Sequence, residues 1–198
     1  MLAVETTHHA LSLLFSSSAR VAVLRVLMLD PARPYYQRQL EQATGLPIRA
    51  IQRELERLTE AELLYRRPEG NRVYYQVDRD HPLFPELRSM VLKTSGPVDA
   101  MRGQLAVDPA VRAAFLSADE EQCLVVEQTG ESTRVSPPPN IALSRQSADS
   151  FLRGLREQDL EVDAFLKSGK DLLGRRDDVL WRHIESAGYV VAKGAGVP

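Results

Sequence analysis

The sequence predicts an α+β protein, and three stretches carry that prediction. Residues 35–64, "YYQRQLEQATGLPIRAIQRELERLTEAELL", read as two short helices joined near Gly45. Residues 66–78, "RRPEGNRVYYQVD", read as a β-hairpin. Beyond Ser95-Gly96-Pro97, short apolar runs and helical patterns follow one another, as in a small α/β domain.

The totals set the frame. A chain of 198 residues, 43% hydrophobic and 26% charged, has globular composition and room for one large domain or two small ones. No apolar run approaches the roughly 18 residues of a membrane span. The opening "MLAVETTHHALSLLFSSSAR" lacks a basic stretch before its apolar part and so does not read as a signal peptide. A cytoplasmic protein is expected. Cys123 is the one cysteine, which excludes an intramolecular disulfide and a thiolate metal cluster. His8, His9, His81 and His183 are too scattered to suggest a metal site. The net charge of −2 is uneven: residues 1–105 carry 14 Lys and Arg against 12 Asp and Glu, and residues 106–198 carry 11 against 15. Every basic residue between Pro31 and Arg79 is an arginine.

Taken in order, Val21, Leu24, Leu27 and Met28 recur at helical spacing after three serines, predicting a helix with one buried face that Asp30-Pro31 and Pro34 stop. A short helix from about Tyr36 to Thr44 points Leu40 and Ala43 inward, and Gly45 supplies a turn. Pro47 then opens a second helix, with Ile51, Leu55 and Leu58 on one face and Arg49, Gln52, Arg53 and Glu56 away from it. Helix, glycine-containing turn and helix of this size make a helix-turn-helix candidate. In the hairpin, Val73, Tyr75 and Val77 alternate with Tyr74 and Gln76, and Glu69-Gly70-Asn71 offers residues that accept a tight turn. "HPLFPELRSMVLKT" (81–94) gives a further helix with Leu83, Leu87, Met90 and Val91 on one side.

From Leu14 to about Thr94 the chain resembles the winged helix-turn-helix domain of ArsR- and MarR-type bacterial and archaeal transcriptional regulators. "LLFSSSARVAVLRVLM" resembles their opening helix, and "LTEAELLYRRPEGNRVYYQVD" their wing entry and wing. Glu62 departs from the pattern, since many members carry a glycine before the wing strand. The resemblance implies a helix over about 47–60 lying in the DNA major groove. Arg49, Gln52 and Arg53 would there reach base edges or phosphates, with Arg67, Asn71 and Arg72 of the wing on the backbone or minor groove. Arg38 on the preceding helix joins this DNA-binding set. Each arginine has a plainer reading as a solvated charge, paired with Glu54, Glu56 or Glu69. Leu83, Leu87, Met90 and Val91 are expected to pair with a second copy, because half-site recognition needs two; the alternative is packing on the chain's own opening helix. With no cysteine or histidine in 36–60, the resemblance does not extend to thiolate metal sensing.

The second half loosely resembles the small nucleotidyltransferase domains that sometimes follow such a winged helix. "VRAAFL…CLVVE" resembles their core strands, and "ALSRQSADSFLRGLREQDLEVDAFLKSG" the segment after them, read as helical from an N-cap at Ser147. Their Gly-Ser turn and paired aspartates are missing; Asp119, Glu120 and Glu121 form a consecutive run instead. "RVSPPPN" reads as a rigid loop and "DDVLWRHIESAGYVV" as a last helix closed by Gly188. Cys123 reads as a buried core residue. The expectation is therefore an α+β fold with a winged helix-turn-helix domain over 1–95 and a small α/β domain over 96–198. It implies a dimeric, sequence-specific transcriptional regulator that binds double-stranded DNA, with no catalytic residues, metal or cofactor. The second domain would serve interaction or the sensing of a small-molecule or protein effector. An enzyme of nucleotidyltransferase type and a protein-interaction module are the alternatives.

Overall fold

A computed structural model describes residues 11–198. His8, His9 and the start of the stretch tested for a leader lie outside the described residues. The chain divides into two compact units: one runs to Gly103 and takes in Pro198, the other spans Gln104–Val197. Both combine helices with strands, giving a mixed α+β protein. Among the described residues, no helix is long and apolar enough to cross a membrane.

In the first unit, helix α1 (Ser18–Leu29) starts because Ser17 stands in extended conformation and its hydroxyl accepts from the Arg20 amide at 3.1 Å. Asp30 leaves the helix and Pro31 follows. One buried face was expected, but Val21, Val23, Leu24, Val26, Leu27, Met28 and Leu29 are all buried. Three other helices and a strand pack around α1, so it is the central element rather than an amphipathic one.

Strand β1 (Tyr35–Tyr36) leads directly into α2 (Gln37–Thr44), and α3 (Ile48–Glu60) follows. Gly45, at φ +68°, ends α2 with its amide donating to the Glu41 carbonyl at 2.8 Å. Pro47 precedes the first residue of α3, and Leu40, Ile51, Leu55 and Leu58 all point into the core. At the far end of α3 the Leu63 amide donates to the Leu58 carbonyl at 3.0 Å and the Glu62 amide to Thr59 at 2.9 Å. This Schellman closure demands a left-handed residue between helix and strand. Glu62 fills that place at φ +59°. The left-handed turn is thus made by a residue whose side chain disfavours that conformation.

Strands β2 (Leu64–Glu69) and β3 (Arg72–Val77) pair antiparallel, from Leu64 opposite Val77 to Glu69 opposite Arg72. Gly70 and Asn71 close the hairpin, Gly70 at φ +56°. β1 adds to the other edge of β3, giving the order β1-β3-β2. Helix α4 (Phe84–Thr94) packs on α1. Val91 is buried in this unit's own core, Leu87 and Met90 are half-buried, and Leu83 is exposed. The helix break falls at Ser95-Gly96, as the sequence indicates, and α5 (Pro97–Val107) follows. The two compact units, however, divide inside α5, after Gly103.

The second unit is built on a five-stranded mixed sheet of order β6-β5-β4-β7-β8. Its members are β4 (Val111–Leu116), β5 (Gln122–Glu127), β6 (Ala142–Ser147), β7 (Lys170–Asp171) and β8 (Ala192–Lys193). Helices α6 (Ala148–Glu157), α7 (Leu160–Ser168) and α8 (Val179–Ser186) cover one face, where Phe115 stacks on Phe151 and tilts against Trp181. Ser147 caps α6 as predicted. The single helical run expected after it is two helices, because Gln158 turns left-handed at φ +55° and Asp159 caps a new start. β6 was not anticipated: "ALSRQS" has no alternation, and its parallel pairing with β5 is a long-range choice. Cys123 is fully buried in β5, and burial pushes its thiol up to about 12.

A left-handed non-glycine residue costs on the order of 1 kcal/mol or more. Glu62→Gly is therefore expected to raise the urea midpoint by roughly that stability, at unchanged m-value. A lowered midpoint would show that Glu62 makes a compensating contact.

Candidate nucleic-acid interface

The rotation of α3 decides which side chains face out, and a buried carboxylate fixes it. Glu54, only 1% exposed, projects inward between Ile51, Leu55 and Leu58. It accepts from Arg20 Nε at 3.0 Å, from Arg57 at 3.2 Å and from the Ser17 hydroxyl at 3.3 Å. The carboxylate on α3 is thereby tied to the first turn of α1. With Glu54 held inside, Arg49, Gln52, Arg53 and Glu56 are all exposed on the opposite side.

Arg38 is exposed on α2. Gln52 Nε2 donates to Gln37 Oε1 at 3.2 Å, joining α3 to the start of α2. Among the described residues, Arg38, Arg49 and Arg53 have no acidic partner. The plainer reading of these arginines as partners of Glu54 therefore does not hold, since Glu54 is occupied by Arg20 and Arg57. It holds for Arg67, which pairs with Glu69 at 3.1 Å with both side chains well exposed. Such a pair is worth about 0–1 kcal/mol and exchanges readily.

Alternation along the strands places Tyr65, Arg67, Glu69, Arg72 and Tyr74 on one side of the hairpin, with Tyr36 of β1 opposite Tyr74. Arg72 lies over the Tyr36 ring, its guanidinium carbon 4.7 Å from the centroid. Tyr36 and Tyr74 meet edge to face at 5.8 Å and 78°. The Arg72 pKa is raised, chiefly by its hydrogen bond to Tyr74 and then by the two tyrosines' fields. Asn71 sits in the hairpin loop beside them. Sequence reading named Arg72 but missed Tyr36 and Gln37; the signal available was the Tyr35-Tyr36 pair immediately before a helix, one ring buried and the other half out.

The acidic run Asp119, Glu120 and Glu121 takes part in turn hydrogen bonds and a surface ion pair. Asp119 accepts from the Ser117 hydroxyl and the Glu121 amide, and these bonds, the hydroxyl first, lower its pKa. Glu120 pairs with Lys170 at 3.0 Å. Among the described residues, no group of three or more His, Cys, Asp or Glu side chains is placed to hold a metal ion. His81 bonds the Ala61 carbonyl at 3.1 Å and His183 is exposed. Compared with known proteins, the chain matches no family model, no curated protein and no solved structure.

Only the carboxylate of this cluster is fully buried; Arg20 and Arg57 keep access to water, with side chains 28% and 51% exposed. Glu54→Ala is therefore expected to destabilise the protein by roughly 1–3 kcal/mol in urea unfolding, the size of its lost charge-assisted hydrogen bonds. A loss near zero would mean that Arg20 and Arg57 find water instead, and that the carboxylate does not hold α3.

Proposed function

We propose that the first unit is a winged helix-turn-helix that binds double-stranded DNA, α3 entering the major groove and the β2–β3 hairpin acting as the wing, in a homodimeric transcriptional regulator. The observation that carries this reading is the exposed set Arg49, Gln52 and Arg53 on the outward side of α3, its two arginines without an acidic partner among the described residues, beside a hairpin bearing Arg67, Asn71 and Arg72. Arginine pairs bidentately with guanine and glutamine with adenine. Arginines on a hairpin suit phosphate or a narrow minor groove. In the proposed regulator Arg38 joins the phosphate contacts.

Selection of bound fragments from random duplex DNA supplies the preferred site. On that site Arg53→Ala or Gln52→Ala is expected to cost roughly 1–3 kcal/mol, and far less on a scrambled duplex. Arg72→Ala is expected to weaken both duplexes alike and to lower the salt slope by about one. A wild-type chain with no salt-dependent binding to any duplex sinks the proposal.

The dimer is proposed to form through the opening segment and α4. Leu13, Leu14 and Leu83 are 66%, 73% and 57% exposed, a high figure for leucines. Leu11 and Phe15 line a small apolar cleft with Leu87, Met90 and Val91, so the opening segment and α4 form one surface. Val91 belongs to the core beneath that surface, and Leu87 and Met90 form its floor. Light scattering at micromolar concentration is expected to give twice 22.1 kDa, and Leu83→Asp to shift the mass toward one chain. A monomer mass for wild type removes the dimer.

For the second unit we propose effector sensing or partner contact rather than catalysis. An open cleft of about 590 Å³ between α7 and the segment after α8, lined by Asp163, Lys167 and Tyr189, is where a small effector would enter.

A further inference from the structure

We propose that Tyr36 is a positioning residue for the proposed DNA contact, its ring holding the Arg72 guanidinium in a fixed pose from which the arginine meets a phosphate. The inference rests on the DNA-binding reading and goes beyond it, since it assigns a role to a residue that need not touch DNA.

The geometry is set by strand register. Tyr36 on β1 stands directly opposite Tyr74 on β3, and Arg72 is two residues from Tyr74 along the same strand, hence on the same face and diagonal to Tyr36. The diagonal distance in a sheet suits a long side chain lying across a ring. Arg72 does this at 4.7 Å from the Tyr36 centroid, while Tyr74 braces the same ring edge to face at 5.8 Å. Tyr36 is itself fixed: it is the residue before α2, and its amide donates to Gln39 Oε1 at 3.1 Å. Tyr36 of β1 and Tyr74 of β3 therefore meet the guanidinium, and α2 holds Tyr36 from behind through Gln39.

A guanidinium seated over a ring still presents N–H groups outward, and those are what a phosphate accepts from. An arginine in solution must lose rotamer freedom on binding; one already seated loses less. Arg67, on the same face, is held by an exposed carboxylate that competes with phosphate for the same N–H groups. The Tyr36 face holds the cation without occupying its donors, and the hydrogen bond to Tyr74 takes only part of the guanidinium's five N–H groups. Of the two wing arginines, Arg72 is the one delivered ready to bind.

The prediction is specific. On a fluorescein-labelled duplex of mixed sequence, Tyr36→Leu is expected to weaken binding by about two- to fivefold, the size of an exposed cation–π contact. Its salt slope is expected to equal wild type, because the same phosphates are neutralised. Tyr36→Phe keeps the π face and is expected to behave as wild type. In an Arg72→Ala background, Tyr36→Leu is expected to cost nothing further. Without any DNA, the Arg72 δ-proton resonances are expected to lie upfield in wild type and Tyr36→Phe, from the ring current, and to return to ordinary values in Tyr36→Leu. Should Tyr36→Leu not fold, Tyr36→Met fills similar volume without a π face and answers the same question.

If Tyr36→Phe loses as much affinity as Tyr36→Leu, the hydroxyl is a direct contact and the proposal is overturned. Additive losses in the double variant, or an unshifted Arg72 resonance in wild type, overturn it as well. If the wild-type chain binds no duplex, the DNA reading fails first and takes this inference with it. If wild type binds and Tyr36→Leu binds equally, only this inference fails.

Discussion

Glu54 is a carboxylate with almost no access to water in the middle of a helix whose other inward residues are leucine and isoleucine. Burying it alone would be costly, and it persists because Arg20, Arg57 and the Ser17 hydroxyl meet it. Ser17 also starts α1, so one oxygen both opens a helix and anchors its neighbour. A buried ion pair adds little over an apolar pair of the same volume. What it supplies is angular definition: only one rotation of α3 keeps the carboxylate within reach of α1.

The hairpin is organised by a different force. Its register puts two arginines on the same side, yet their surroundings are unequal. Arg67 faces Glu69 in open solvent, whereas Arg72 rests on a tyrosine that belongs to the start of α2. The three-stranded arrangement matters here, because β1 is only Tyr35–Tyr36. Tyr35 is buried in the core while Tyr36 meets the arginine, so two adjacent residues bind the hairpin to the helical part through opposite faces of the sheet.

Much of the first unit was legible in the sequence because its signals are local. Gly45, Pro47 and the Ile51, Leu55, Leu58 series declare their helices without reference to anything distant, and Gly70 declares the hairpin. What escaped were pairings across long separations. Glu54 looks like a surface charge until Arg20 is placed beside it, and Tyr36 looks like a helix leader until β3 aligns with it. The centrality of α1 was hidden in the same way: Val23, Val26 and Leu29 fall off a single stripe and are buried only because other elements surround the helix. In the second unit the polar strand β6 and the two-residue strands β7 and β8 carry no periodicity long enough to read. The side chains proposed to face DNA were named as a set from the sequence, but knowing which carboxylates were already taken required the structure.

Helix α5 bears on how this chain can be divided. The Ser95-Gly96-Pro97 break invites a cut there, but the first unit continues to Gly103. Asp99 accepts from Arg25 at 3.2 Å, and the Gly103 carbonyl accepts from Arg88 at 2.8 Å. Burial depresses the pKa of both arginines, so each depends on its acceptor. Gly103 also lets the α5 backbone come close to Leu29 and Leu92, where a Cβ would stand within 2.9 Å of both side chains. A fragment truncated at Ser95 would keep every element of the proposed DNA-binding unit up to α4 and still lose the acceptors of Arg25 and Arg88 and the close packing of Gly103 on Leu29 and Leu92. The boundary of the compact unit falls inside a helix, not in the loop before it.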